Sequence, residues 1–346
     1  MAERLTIDRP TDWHLHLRDG AGMADVVGHS ARVFARAVVM PNLSPPVVTV
    51  DQAAAYRERI LSALPPGSDF EPLMALYLTD TTSRAEIRAA KGSGLVVAAK
   101  LYPAGATTHS DRGVTGVERI AHVLDEMEAC GLPLLVHGEV TDPAVDLFDR
   151  ERLFIDRVLV TLVKRWPGLR VVLEHVSTRE GVQFVSASSL RVAATVTPQH
   201  LLLDVNDLLA GGVRPHHYCL PVLKRERDRE ALLAAAAGDD PRFFLGTDSA
   251  PHARRTKEAS CGCAGIFSAH AAIELYAEAF EQAGRLERLE AFASERGADF
   301  YGLPRNPDRI TLRRMPWTVP ECYPYGGEEL VPLRAGAQVH WTLVEP

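Results

Sequence analysis

Short apolar segments recur along the chain, separated by stretches with amphipathic spacing. Eight stand out, over 13–16, 38–42, 74–77, 96–101, 134–137, 171–175, 193–197 and 243–247. Several are rich in Val, Leu or Phe, the composition of strands buried on both faces. Most of the intervals between them read as helices. Residues 52–64 carry Ala, Tyr, Ile and Leu at helical spacing, and 152–166 and 227–237 are further candidates. Ser83 with Glu86 and Thr115 with Glu118 have the spacing of a capping box. In that motif the hydroxyl and the glutamate satisfy N–H groups that a helix start leaves orphaned.

Strands alternating with helices imply parallel pairing through crossovers, and eight strands is the number that closes a (β/α)8 TIM-type barrel. The alternative is an open doubly wound sheet. Such a sheet usually carries a glycine-rich phosphate loop after its first strand, and none is present. A length of 346 residues suggests two domains at about 150 residues each, but α/β barrels commonly run past 250 as one unit. No repeat, low-complexity tract or Ser/Gly-rich linker divides the chain. Residues 1–346 therefore read as one barrel domain with long βα loops and a C-terminal extension.

Charge and composition narrow the partners. Lys plus Arg number 38 against 45 Asp plus Glu, a formal net charge of −7. With no basic run, a nucleic-acid partner is not expected. No apolar run approaches the ~18 residues of a membrane helix, and the opening residues lack the apolar core of a signal peptide. The five cysteines, Cys130, Cys219, Cys261, Cys263 and Cys322, are odd in number and sparse, which favours reduced thiols in a cytoplasmic protein.

The polar residues fall in a telling place. His14 and His16 lie near the end of the first predicted strand, Asn42 at the end of the second and Lys100 near the end of the fourth. His137 ends the fifth, His175 ends the sixth, and Asp248 follows the eighth. Barrel enzymes assemble their active sites from the C-terminal ends of strands. Side chains at i and i+2 share a strand face, so both imidazoles of His14-Leu15-His16 can point inward and suit a zinc-like ion. Taken alone the pair is equally readable as two ordinary polar residues, and a single histidine ending an apolar run is more often a packed core residue. Four such histidines with Asp248 at one barrel end favour chemistry. Lys100 fits less simply, because an unpaired ammonium is costly to bury. It is either paired with Asp248 in a structural ion pair or chemically altered.

The stretch Asp12-Trp13-His14-Leu15-His16-Leu17-Arg18-Asp19-Gly20 resembles the opening metal motif of the dihydroorotases, in their shorter bacterial class. The resemblance continues in Met40-Pro41-Asn42-Leu43, Ala99-Lys100-Leu101-Tyr102-Pro103 and Leu135-Val136-His137-Gly138-Glu139. It extends through Thr197-Pro198-Gln199-His200, Gly211-Gly212-Val213-Arg214-Pro215-His216 and Gly246-Thr247-Asp248-Ser249-Ala250-Pro251-His252, spanning roughly 12–333.

The resemblance implies an amidohydrolase barrel with two Zn2+ ions bridged by hydroxide and by the carbamate of a carboxylated Lys100. It implies that His14, His16 and Asp248 complete one metal site while His137 and His175 complete the other. The implied reaction is the reversible interconversion of L-dihydroorotate and N-carbamoyl-L-aspartate, with Asp248 as general base and then acid. Both substrates are small anions. By the same resemblance Arg18, Asn42 and His252 hold the carboxylate, the backbone at Leu220 and Ala264 contacts the ring, and Thr107 and Thr108 close a lid. From composition alone the stretch 104–110 is equally an ordinary solvated loop. A homodimer is also implied. Two rival readings are a hydantoinase or dihydropyrimidinase, which resembles this chain at the metals but differs at the carboxylate clamp, and an inactive barrel scaffold. Cys261-Gly262-Cys263 has no second matching pair and reads as a loop with two thiols. His29, His122, His270 and His340 read as surface or packing residues.

Overall fold

The structure, a computed structural model, describes residues 3–344. Strand β1 (Arg4–Asp8) precedes eight parallel strands that pair in chain order. These are β2 (Thr11–Leu15), β3 (Arg36–Val39), β4 (Glu71–Tyr77), β5 (Val96–Leu101), β6 (Leu134–His137), β7 (Val171–Glu174), β8 (Val192–Val196) and β9 (Phe243–Leu245). All eight predicted segments overlap a strand of this sheet. It curls until β2 meets the chain just past β9, where His16 N donates to Ser249 O (3.1 Å) and Asp248 N to His14 O (2.8 Å). Asp12 reinforces this seam by accepting from Thr247 N (2.9 Å) and Oγ1 (2.6 Å). Helices fill the crossovers, as expected of a (β/α)8 barrel.

Several helices begin where side chains serve their first N–H groups. Thr49 and Gln52 form a complete capping box at Val50–Ala63, a pair the sequence reading passed over. At Arg84–Gly92 only half of the expected box forms. Ser83 accepts from Glu86 N, but the Glu86 carboxylate turns away to accept from Val50 N (2.7 Å). The box expected at Thr115 and Glu118 is absent: Thr115 Oγ1 donates to Asp80 (2.6 Å), and Glu118 pairs with Arg165 (2.6 Å). In both cases a tertiary partner outcompetes a local one of similar strength. The helix predicted over 152–166 runs from Arg150 to Arg165 with a wider turn over Ile155–Leu159, and that over 227–237 spans Glu226–Ala236.

The interior of the barrel decides which end carries chemistry. Trp13, Val38, Leu73, Ala98, Leu135, Val172, Ala193 and Phe244 pack together inside it. Beneath them Tyr301, from the helix Arg296–Tyr301, stacks on Trp13 with ring centroids 4.4 Å apart. Gly297 permits that contact, since a Cβ there would meet Trp13 Nε1 at 2.0 Å. The N-terminal mouth is thereby plugged. Two residues further along their strands, the same inward face presents Lys100, His137 and Glu174 at the opposite mouth. A register shift between Asp12 and Leu15 lets β2 direct both Trp13 and the neighbouring histidine inward.

The expected C-terminal extension comprises β10 (Arg309–Arg313), β11 (Trp317–Thr318), β12 (Tyr323–Tyr325), β13 (Glu328–Leu330), β14 (Gln338–Val339) and β15 (Thr342–Val344). Strand β10 pairs antiparallel with β1 and β15, and β12 forms a hairpin with β13 beside the open mouth. No helix among the described residues is long and apolar enough to cross a membrane.

Candidate functional site

At the C-terminal mouth lies a small, tightly closed cavity, bordered by His14, His16, His137, His175 and Asp248 on its floor and by Arg18 and Asn42 above. Thr107, Thr108, Leu220 and Ala264 complete its walls, together with Tyr102, Ala250 and Gly265. Residues named as candidates on sequence grounds thus converge on one space. His252 stands behind Ala264, and Lys100 lies beneath the floor, fully buried.

His14 Nε2, His16 Nε2 and Asp248 Oδ1 face one another, at 3.4 Å between the imidazoles and 3.4 and 3.0 Å to the carboxylate. These three can hold one metal ion. His14 is turned by its other nitrogen, whose Nδ1 lies 2.5 Å from Glu174 Oε2, and Glu174 also accepts from Thr195 Oγ1 (2.7 Å). That arrangement fixes the His14 ring through the carboxylate behind it, as is common for imidazoles in metal sites. His175 continues the cluster, with ring centroids 5.0 Å from His14 and 4.8 Å from His137. His137 Nε2 is engaged with Glu139 Oε2 (2.9 Å), which leaves its Nδ1 for a metal.

Electrostatics fit a cation-binding floor in most of its groups. His14 is the exception: burial opposes its charge, but Glu174 and Asp248 outweigh it and hold the imidazole above its usual value, so a metal would have to displace its proton. Burial opposes ionisation of Asp248, yet hydrogen bonds with His14 and His16 outweigh it and hold the carboxyl well below its usual range. Burial and the Arg18 charge push His16 down to about 3, and burial with Lys100 nearby keeps His175 well below normal. Neutral imidazole and ionised carboxylate are the forms that ligate zinc. Burial pushes Lys100 down to about 8, against the opposing charges of Glu174 and Asp248. Among the described residues its Nζ has no hydrogen-bond partner, and no ion pair with Asp248 forms. A structural ion pair is therefore not what keeps this lysine buried, and an orphaned amine beside His14 and His175 fits a group completed by a ligand. His175 at φ +42°, Asp248 at φ +46° and Arg18 at φ +61° all adopt left-handed backbone conformations that non-glycine residues seldom populate. Such strain clusters where geometry serves function.

Above the floor, Arg18 is half-buried, its inward Nε and Nη1 lacking partners among the described residues, while Nη2 lies 3.0 Å from His252 Nε2. The stretch 104–110 is folded over the cavity. Asn42 Nδ2 donates to Thr108 O (3.0 Å), Thr108 Oγ1 to Ala264 O (3.4 Å), and Tyr77 OH to His109 O (3.4 Å). Tyr102, stacked on Tyr77, places at the cavity wall a buried hydroxyl without a partner among the described residues. The sequence reading gave no role to Tyr102, Glu139 or Glu174. A carboxylate inside the apolar run of β7 was the available signal for Glu174. Cys261 and Cys263 are free thiols, exposed and half-buried respectively, and belong to no metal-ligating group among the described residues.

Comparison with known proteins agrees with this geometry. The sequence matches the amidohydrolase family over residues 11–315. It is 64% identical to the dihydroorotase of Nitrosomonas europaea over 344 residues, 99% of each chain. Among solved structures, the dihydroorotase of Campylobacter jejuni superposes with a TM-score of 0.91 at 34% identity, covering 100% of this chain and 98% of that one. The Saccharomyces cerevisiae dihydroorotase in complex with 5-fluoroorotic acid gives a TM-score of 0.91 at 29% identity over 99% of both chains.

Proposed function

The chain belongs to the amidohydrolase family, among its dihydroorotases, and we propose that it interconverts L-dihydroorotate and N-carbamoyl-L-aspartate for pyrimidine synthesis, using two zinc ions. One observation carries the reading. A single cavity joins an imidazole–carboxylate cluster to a half-buried guanidinium with two unused inward donors. Hydrolysis of a neutral cyclic amide needs only the first; a ring bearing a carboxylate needs both. The yeast relative's complex with 5-fluoroorotic acid supports a substrate of this class.

His14, His16 and Asp248 would hold one zinc and His137 with His175 the other, with Lys100, carboxylated on Nζ, reaching both. Carboxylation would turn an orphaned buried amine into an anion between two cations, which removes the burial penalty. Bound there, zinc supplies Lewis acidity toward the ring carbonyl and renders water acidic enough to ionise near neutral pH.

The protein's own groups do the rest. Asp248 accepts the proton of the attacking water and delivers it to the leaving ring nitrogen, and in the synthetic direction the order reverses. Arg18 offers a bidentate fork to the substrate carboxylate, aided by Asn42 and His252. The backbone of Leu220 and Ala264 faces the ring, and Thr107 and Thr108 close over it to exclude water. We read residues 1–346 as one such unit, working as a cytoplasmic homodimer.

Assay of the purified protein with L-dihydroorotate and dihydrouracil, beside metal analysis, tests the assignment. The expected result is turnover of the first only, with two zinc ions per chain. Preference for dihydrouracil would assign a hydantoinase or dihydropyrimidinase activity, and a metal-free inert protein would assign a scaffold.

A further inference from the structure

Lys257 ends the short helix Arg254–Lys257 and is 4% exposed. Its Nζ donates to three carbonyls, Gly265 at 2.6 Å, Tyr218 at 2.7 Å and Cys263 at 3.0 Å. Three acceptors match the three protons of an ammonium, and a neutral amine would leave one of them unserved. The Tyr218 ring, 5.7 Å from Nζ, adds a cation–π contact. Among the described residues no carboxylate pairs with this charge. Burial pushes the ammonium down to about 8, still protonated at neutral pH.

The three carbonyls lie on the two segments that form one wall of the cavity. Tyr218 leads into Leu220, and Cys263 and Gly265 flank Ala264. Gly265 N donates back to Tyr218 O (3.0 Å), and His252 Nε2 lies 3.0 Å from Ala264 O. The loop is tightly folded around the lysine. A Cβ on Gly262 would sit 2.5 Å from the Lys257 carbonyl oxygen, and one on Gly265, at φ +148°, would sit 2.8 Å from Ala250 O. Cys261-Gly262-Cys263, a motif without a metal role, is thus the close turn that brings the Cys263 carbonyl to the ammonium.

We propose that Lys257 is a positioning residue for substrate binding. By gathering the carbonyls of 218, 263 and 265 it fixes the backbone of Leu220 and Ala264 toward the ring, and it adds an unpaired positive charge behind the Arg18–His252 clamp. The proposal rests on reading the cavity as a dihydroorotate site. It acts on affinity, because Lys257 touches neither the metal ligands nor Asp248.

Steady-state kinetics of Lys257→Met with L-dihydroorotate provide the test, with zinc content measured on the same preparation. Loss of the ammonium is expected to raise KM about tenfold or more, the effect of losing one charge-assisted anchor. The expected kcat stays within about threefold of wild type, with zinc content unchanged. Native KM, or loss of zinc and kcat together with KM, would overturn the proposal. Should the Met variant not fold, Gly262→Ala displaces the same loop while keeping the charge. A raised KM with near-native kcat then supports the role, and native KM overturns it. Absence of dihydroorotate turnover in the wild-type enzyme would instead remove the proposed function itself.

Discussion

Arg18 Nη2 lies 3.0 Å from His252 Nε2, although 234 positions separate the two residues. The same His252 nitrogen is 3.0 Å from Ala264 O. One ring nitrogen cannot both accept from the guanidinium and donate to a carbonyl. Burial and the adjacent Arg18 charge push His252 down to about 2, so it is neutral at working pH. Arg18 and Ala264 O therefore compete for one nitrogen, and a ligand that draws the guanidinium away would end the competition.

Removal of this clamp is expected to act on binding. Arg18→Ala should raise KM for dihydroorotate by about 2 kcal/mol, roughly thirtyfold, as for a lost hydrogen bond to a charged group. Arg18→Lys should recover little, because a point charge cannot replace the bidentate fork. Steady-state kinetics decide it: native KM in the Ala variant would exclude a role in carboxylate recognition.

Lys100→Ala addresses the metals directly. Deleting the residue proposed to reach both ions should leave at most one zinc per chain after dialysis against dilute chelator and lower kcat by at least about 10²-fold, in the range seen when a catalytic metal site is disturbed. Wild-type protein treated in parallel should keep two. Full zinc occupancy in the variant would show that Lys100 is not a ligand.

The lid can be separated from the metals. Thr107→Ala with Thr108→Ala removes two hydroxyls at the cavity wall, one of them the Thr108 tie to Ala264 O. Turnover should fall by about tenfold, in line with the loss of one or two substrate-facing hydrogen bonds, while zinc content holds. Unchanged kinetics would leave 104–110 as an ordinary loop.

His270 gives a stability test away from the site. It is buried among Phe267, Tyr323 and Trp317, and burial with the nearby His29 and Arg32 charge pushes it down to about 3. The unfolded chain binds a proton there near pH 6.5 and the folded chain does not. Its contribution is therefore intact above pH 6.5 and is lost as pH falls toward 3, by about 1.4 kcal/mol per pH unit. His270→Gln should flatten the decline of Tm between pH 7 and pH 5. Parallel curves for variant and wild type would show that His270 does not titrate on unfolding.

The order and kind of elements were legible in the chain because strands buried on both faces must be short and apolar, and crossover helices must be amphipathic. The same logic placed His14, His16, Lys100, His137, His175 and Asp248 at one end of one barrel, since each terminates or follows such a strand. Local signals failed where a distant partner competed: Glu118 went to Arg165 and Thr115 to Asp80, contacts that no window of sequence contains. Only the closed barrel decided that Glu174 orients His14, that Arg18 meets His252, and that Lys257 gathers carbonyls from two separate segments. The sequence by itself determined which groups stand at the mouth, because side-chain parity along a strand is a local rule. Which nitrogen, oxygen or ammonium faces which partner was settled by ring closure, where atoms hundreds of residues apart compete for the same hydrogen bonds.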